Sequence, residues 1–190
     1  MAINYRQCPN CGSGNVQKII YGMPNTEIFQ RAEGQIKLSG CSILENGPEY
    51  YCVECEQEWN KEQAIEAAYA RIKGVKASVG GFFGGHSHVE IEFTSGTVTW
   101  EHYEQGEKVD SDKKTVKENA MQNFKNDLKK VQLLDWRADY PNPGIMDGTQ
   151  WEVELVRDGK NLKKHGDNQF PDEWEDFNKA VRRVTGRDFL

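Results

Sequence analysis

The chain has 190 residues, 37% hydrophobic and 28% charged, enough for a medium domain or a small module joined to an average one. Its formal net charge of -6 argues against a protein that wraps nucleic acid, because phosphate binding needs a basic surface. No apolar run approaches the roughly 18 residues that span a bilayer, and Met1-Ala2-Ile3-Asn4-Tyr5-Arg6 lacks a signal-peptide core, so a cytoplasmic protein with no membrane partner is expected.

All five cysteines fall within the first 55 residues, four of them in two Cys-x-x-Cys pairs. Cys8-Pro9-Asn10-Cys11-Gly12 and Cys52-Val53-Glu54-Cys55 are each a tight knuckle able to turn two thiolates toward one ion. In a reducing compartment this arrangement points to metal, and two such pairs favour one structural zinc ion over a pair of redox dithiols. Gly12 supplies the positive φ that a knuckle requires, whereas Glu56 stands at the same place in the second knuckle. The forty residues between the pairs exceed a minimal ribbon, and Thr26–Ile36 is expected to carry an inserted helix before Ile36-Lys37-Leu38 resumes an extended run. Cys41 reads as a buried small residue, a spare thiol near the ion or part of a switch.

The run Cys8-Pro9-Asn10-Cys11-Gly12-Ser13, with Ile20-Tyr21-Gly22-Met23-Pro24, Leu38-Ser39-Gly40-Cys41, Pro48-Glu49-Tyr50-Tyr51-Cys52-Val53-Glu54-Cys55 and Trp59, resembles a small zinc-ribbon family of uncharacterised bacterial proteins. The resemblance covers about a third of the chain. It implies a ribbon with the same four ligands and a place for Cys41 in the pattern, and it implies no reaction. Residues 1–59 are therefore expected to form a four-cysteine zinc ribbon.

From Lys61 to Lys73 the apolar residues Ala64, Ile65, Ala68, Tyr69 and Ile72 share one helical face, with Asn60 as cap and Gly74 as terminator. This predicts a linker helix within residues 60–76. Residues 77–190 read as a duplicated ββα unit. In the first copy Val89, Ile91 and Phe93 alternate, Ser95-Gly96 turns, Val98 and Trp100 return, and Asp110-Ser111-Asp112 opens a helix bearing Val116, Ala120, Phe124, Leu128 and Val131. In the second copy Trp151, Val153 and Leu155 lead to Asp158-Gly159 and Leu162, and Pro171 starts a helix bearing Trp174, Phe177, Val181 and Val184. The expected fold class is α+β: ribbon, linker helix, then a two-layer ββα-ββα domain with a four-stranded antiparallel sheet and both helices on one face. Through Trp136, Tyr140, Asp147-Gly148-Thr149-Gln150-Trp151, Gly166 and Phe170-Pro171-Asp172-Glu173-Trp174, this half resembles a recurring carboxy-terminal domain of uncharacterised bacterial proteins, a likeness that implies no activity.

A two-residue turn at Ser95-Gly96 would set Phe93 against Val98, Ile91 against Trp100 and Val89 against His102 on the core side. The other side would then pair Glu92 with Thr99, Glu90 with Glu101 and His88 with Tyr103. Opposed like charges are unfavourable, so Glu90 and Glu101 predict a solvated face, a basic protein partner, or a divalent cation held by His88, Glu90, Glu92 and Glu101. In the second hairpin Glu154 faces Lys163 and Glu152 faces His165, a matched face. The glycine-rich run from Gly80 to His88 lacks a Walker lysine and leads into a strand; its Phe82 and Phe83 are candidates for partner docking, and His86 and His88 read as surface residues. The loop from Asp135 to Gly148 either caps the sheet or carries function.

No hydrolase elbow, zincin helix or dinucleotide fingerprint is present, so catalytic residues are not expected. The sequence favours a non-enzymatic zinc-binding protein whose partner is another protein. The alternative is a nucleic-acid-associated ribbon using Arg6, Lys18, Arg31 and Lys37, which charge disfavours.

Overall fold

The computed structural model describes residues 3–22, 34–40, 46–81, 84–142, 144 and 148–189. They divide into two compact units, Ile3–Ala70 and Arg71–Leu190. Strands dominate both units and the described residues hold three helices, an α+β chain.

In the first unit, β1 (Val16–Tyr21), β2 (Ile36–Ser39), β3 (Tyr50–Cys52) and β4 (Glu58–Trp59) form a sheet of order β2-β1-β3-β4, with β2 parallel to β1 and the other pairs antiparallel. Val16 lies opposite Cys52 and Lys18 opposite Tyr50, so β1 and β3 present alternate side chains to a core of Cys8, Tyr50, Cys52, Trp59 and Ala64. The Trp59 ring stacks on Tyr50 at 5.8 Å, and its indole N–H donates to the Tyr5 carbonyl at 3.1 Å, so the one polar atom of a fully buried side chain is satisfied. The helix expected over Thr26–Ile36 and the thiol of Cys41 lie outside the described residues; Gly34 and Gln35 form a turn and Ile36 opens β2.

Helix α1 (Lys61–Ala70) starts as its sequence predicts. Asn60 Oδ1 accepts from the Gln63 N–H and Gln63 Oε1 accepts from the Asn60 N–H, both at 2.9 Å, a reciprocal capping box. The helix stops at Ala70, three residues before the expected end. Ile72, Val75, Ala77 and Val79 are buried while Lys73 and Lys76 are exposed, so an alternating pattern takes over and Ile72–Gly81 is strand β5. Gly74, expected as the helix terminator, lies inside that strand; a Cβ there would meet the Ile91 carbonyl oxygen at 2.6 Å.

The second unit departs from the ββα-ββα layout. Four strands in a meander, β5, β6 (Gly85–Glu92), β7 (Thr97–Glu104) and β8 (Glu107–Thr115), precede α2 (Glu118–Lys130); β9 (Asp139–Tyr140), β10 (Thr149–Arg157) and β11 (Leu162–Asp167) precede α3 (Trp174–Thr185). They make a seven-stranded sheet of order β8-β7-β6-β5-β10-β11-β9, antiparallel except for the β9 and β11 pair. Asp110-Ser111-Asp112 lies within β8 and does not open a helix. Every residue of β8 is exposed or half-buried, so this edge strand has no apolar alternation to betray it. Its turn does carry a signal: Gln105 and Gly106 have φ of +50° and +86° between the paired Glu104 and Glu107, a two-residue hairpin turn with both central residues left-handed.

Both helices cover the same face of the sheet. Phe124 of α2 packs against Phe93 at 6.2 Å and Trp174 of α3 against Trp151 at 4.7 Å. Buried Asp127 of α2 accepts from Arg183 of α3 at 2.9 Å and from Lys130 at 3.1 Å, tying the helices together. Between helices and sheet lie Val75, Ile91, Val98, Val153, Leu155, Leu128 and Phe177, each 1% exposed or less, and each contributing about 1.5–3 kcal/mol by burial. The start of the expected capping loop does cap: Tyr140 is buried against Trp151, and β9 closes the sheet beside β11. No helix among the described residues is long and apolar enough to cross a membrane.

Candidate metal centre and open sheet face

Two chain segments build the cysteine site with the same local geometry. In the first, the Gly12 N–H donates to the Cys8 carbonyl at 3.0 Å and the Cys8 N–H to the Ser13 carbonyl at 2.9 Å. In the second, the Glu56 N–H donates to the Cys52 carbonyl and the Cys52 N–H to the Gln57 carbonyl, both at 2.9 Å. Gly12 and Glu56 occupy equivalent positions with φ of +74° and +60°. The second knuckle therefore takes the left-handed turn although a glutamate must adopt it.

The two knuckles bring four sulfurs together. Cys8 Sγ lies 3.5 Å from Cys55 Sγ, Cys11 Sγ lies 3.5 Å from Cys52 Sγ, and all four Sγ atoms fall within 4.8 Å of one another. Cys8 and Cys52 are fully buried, Cys55 is half-buried and Cys11 is exposed. The Gln57 backbone N–H draws the Cys55 thiol down to about 6, helped by Asn10, Cys11 and Cys8. The Ser13 N–H also pulls the Cys11 thiol down, but desolvation and hydrogen bonding to Cys52, Cys55 and Cys8 override it and push Cys11 up to about 12. Asn10 Nδ2 donates to Cys55 Sγ at 3.7 Å. The four sulfurs thus form a cluster that could hold a metal ion.

The open face of the second sheet, opposite the helices, holds the remaining candidates. His88, Glu90, Glu92 and Glu101 all point to this side, but the expected confrontation of Glu90 with Glu101 does not occur. The connection between β6 and β7 runs from Phe93 to Gly96, so Ile91 pairs with Val98, Glu90 with Thr99, and His88 with Glu101. This register is displaced by two residues from a Ser95-Gly96 turn, which leaves every side chain on its expected face and changes every partner. Each acid is then engaged: Glu90 by Lys76 at 2.7 Å, Glu101 by the Tyr103 hydroxyl at 2.8 Å and Lys108 at 2.9 Å, and Glu92 by the Ser95 hydroxyl at 2.7 Å. Lys108 first, then Tyr103, holds Glu101 below the usual carboxylate range. Phe82 and Phe83 lie outside the described residues.

The second hairpin pairs as read, with Glu154 opposite Lys163 and Glu152 opposite His165. Placing β5 between the two hairpins, which the sequence reading did not do, joins them into one cross-strand row: Glu101, His88, Ser78, Glu152, His165 and Asp139 are successive neighbours. A hollow of about 850 Å³ opens beside this row, between His86 and His88 on one side and Asp139 and His165 on the other. Ser78, half-buried in an alternating strand, was the legible trace of that row. Among the described residues, the four cysteines are the group of metal-ligating side chains whose ligand atoms converge; those of His88, Glu90, Glu92 and Glu101 do not.

No family model matches the chain, and no curated protein shows significant similarity to it.

Proposed function

We propose that this chain is a non-enzymatic zinc-binding protein, in which one structural zinc ion shapes the first unit and the second unit presents a recognition surface to another protein. The convergence of four thiols from two knuckles with the same hydrogen-bond pattern carries this reading. A tetrahedral ion with zinc–sulfur bonds near 2.3 Å separates its ligands by about 3.8 Å, and a four-thiolate shell leaves no open position for substrate. The 3.5 Å separations of the two sulfur pairs fit that shell after a small expansion. Zinc would draw the remaining protons from the thiols, and its binding energy would add to the stability of a unit with a small core.

Metal analysis of purified protein tests this directly. About one zinc per chain is expected, and much less in Cys52→Ser, because a fully buried ligand is lost. A wild-type chain purified under reducing conditions that neither carries nor takes up zinc would end the proposal.

The partner reading draws on the charged face of His88, Glu90, Glu92 and Glu101 and on the Phe82-Phe83 segment beside it in sequence. Pull-downs from the native host should recover a stoichiometric protein, and recovery of none across several conditions counts against it. The nucleic-acid alternative has less support: residues 1–70 hold five Lys and Arg against nine Asp and Glu, and Lys37 is bound to Glu58 at 2.7 Å. Absence of binding to single- or double-stranded nucleic acid at low salt would dispose of it.

A further inference from the structure

We propose that the cysteine centre of the first unit is a peroxide-responsive switch, in which oxidation joins Cys8 to Cys55 and Cys11 to Cys52 and frees the bound metal. The inference deepens the zinc reading above and rests on it. Each 3.5 Å sulfur contact runs between the two knuckles, and each joins a reachable sulfur to a fully buried one: half-buried Cys55 to Cys8, and exposed Cys11 to Cys52. An oxidant can therefore reach one member of each pair, and the buried member lies in place to complete a bond there.

Contacts outside the sulfurs also hold the knuckles together. The Val53 N–H donates to the Asn15 carbonyl at 3.0 Å, Asn15 Nδ2 donates to Glu54 Oε1 at 2.8 Å, and Val16 pairs with Cys52 in the sheet. Asn10 of the first knuckle reaches Cys55 Sγ of the second at 3.7 Å. Loss of the metal would leave these contacts in place, so sulfurs of opposite knuckles stay neighbours while they react. Closing each pair from 3.5 Å to a disulfide bond asks for about 1.5 Å of movement.

The chemistry balances with hydrogen peroxide as the oxidant. The sulfur of Cys55 or Cys11 attacks one peroxide oxygen, the O–O bond breaks and hydroxide leaves, which gives a sulfenic acid. The buried thiolate 3.5 Å away attacks that sulfur, the S–O bond breaks, and a second hydroxide leaves as the S–S bond forms. Two thiolates and one peroxide thus become one disulfide and two hydroxide ions, each sulfur giving up one electron. A disulfide sulfur no longer binds as a thiolate, so each bond formed removes two ligands of the shell.

The test loads the full reduced chain with zinc and adds hydrogen peroxide at roughly two equivalents per chain. A chromophoric chelator follows the metal, and mass spectrometry of unreduced peptides maps the disulfides. Release of about one zinc per chain is expected, with Cys8 linked to Cys55, Cys11 linked to Cys52, and Cys41 left as the one free thiol of five. Dithiothreitol and fresh zinc should restore the loaded chain, and Cys41→Ser should behave as the wild type. Zinc retained under peroxide, linkage of Cys8 to Cys11 or of Cys52 to Cys55, linkage to Cys41, or release without a disulfide would each overturn this inference and leave the zinc reading standing. A reduced chain that takes up no zinc at the loading step would refute the zinc reading, and this inference with it.

Discussion

Glu56 offers the most direct test of the knuckle geometry. Its φ of +60° places it where glycine sits in the first knuckle, and its exposed side chain forms no hydrogen bond or ion pair with another described residue. A non-glycine residue in the left-handed region bears about 1–2 kcal/mol of strain. Glycine relieves this but brings about 0.5–1 kcal/mol more unfolded-state entropy. Glu56→Gly should therefore stabilise the first unit by about 0.5–1 kcal/mol. Gly12→Ala should destabilise it by about 1 kcal/mol, through backbone strain alone, because a Cβ at Gly12 meets nothing within 4 Å. With zinc bound as proposed, metal binding and folding are coupled, so the same differences should appear as zinc affinity: about two- to fivefold tighter for Glu56→Gly and about fivefold weaker for Gly12→Ala. Competition against a chromophoric chelator at fixed pH measures both. If Glu56→Gly weakened zinc binding, or if Gly12→Ala were neutral, the claim that both knuckles share one left-handed turn would be wrong.

Other outcomes follow from buried polar groups in the second unit. Both amide atoms of Asn178 are buried without a hydrogen-bond partner among the described residues, so Asn178→Leu should raise stability to urea by about 1–2 kcal/mol; a loss of stability would show that the amide is satisfied in solution. Lys164 is buried, its ammonium donating to the Leu134 and Trp136 carbonyls, and burial draws it down to about 8. Between pH 8 and its ordinary value of 10.5 the unfolded chain then binds more protons than the folded one, so stability should rise with pH across that window. Lys164→Met should remove that rise, and parallel urea titrations of the two proteins near the ends of the window would reveal it; an unchanged slope would assign the titration to another group.

Local chemistry was legible wherever neighbours in sequence do the work. The Cys-x-x-Cys spacing determines each knuckle, Asn60 and Gln63 reach one another across a single turn, and Asp158-Gly159 sets the pairing of Glu154 with Lys163. Such contacts close short loops, and few alternatives compete with them. The same reasoning could not place β8, whose charged residues look alike in a strand, a loop or a helix start until β7 offers them backbone partners. It also misread the end of α1, because Ile72 fits a helical stripe as well as a strand, and pairing of β5 with both β6 and β10 decides between them.

The sites divide along the same line. The four candidate ligand cysteines could be named from spacing, since a metal asks only for two pairs of thiols; their approach to within 4.8 Å across forty intervening residues belongs to the sheet that joins β1 to β3. On the second unit, sequence alternation assigned His88, Glu90 and Glu101 to one face, but which of them meet depended on a four-residue connection rather than a two-residue one. The row from Glu101 to Asp139, and the hollow beside it, draws on strands far apart in the chain. Period two determines a side chain's face; only the order and register of strands determine its neighbour.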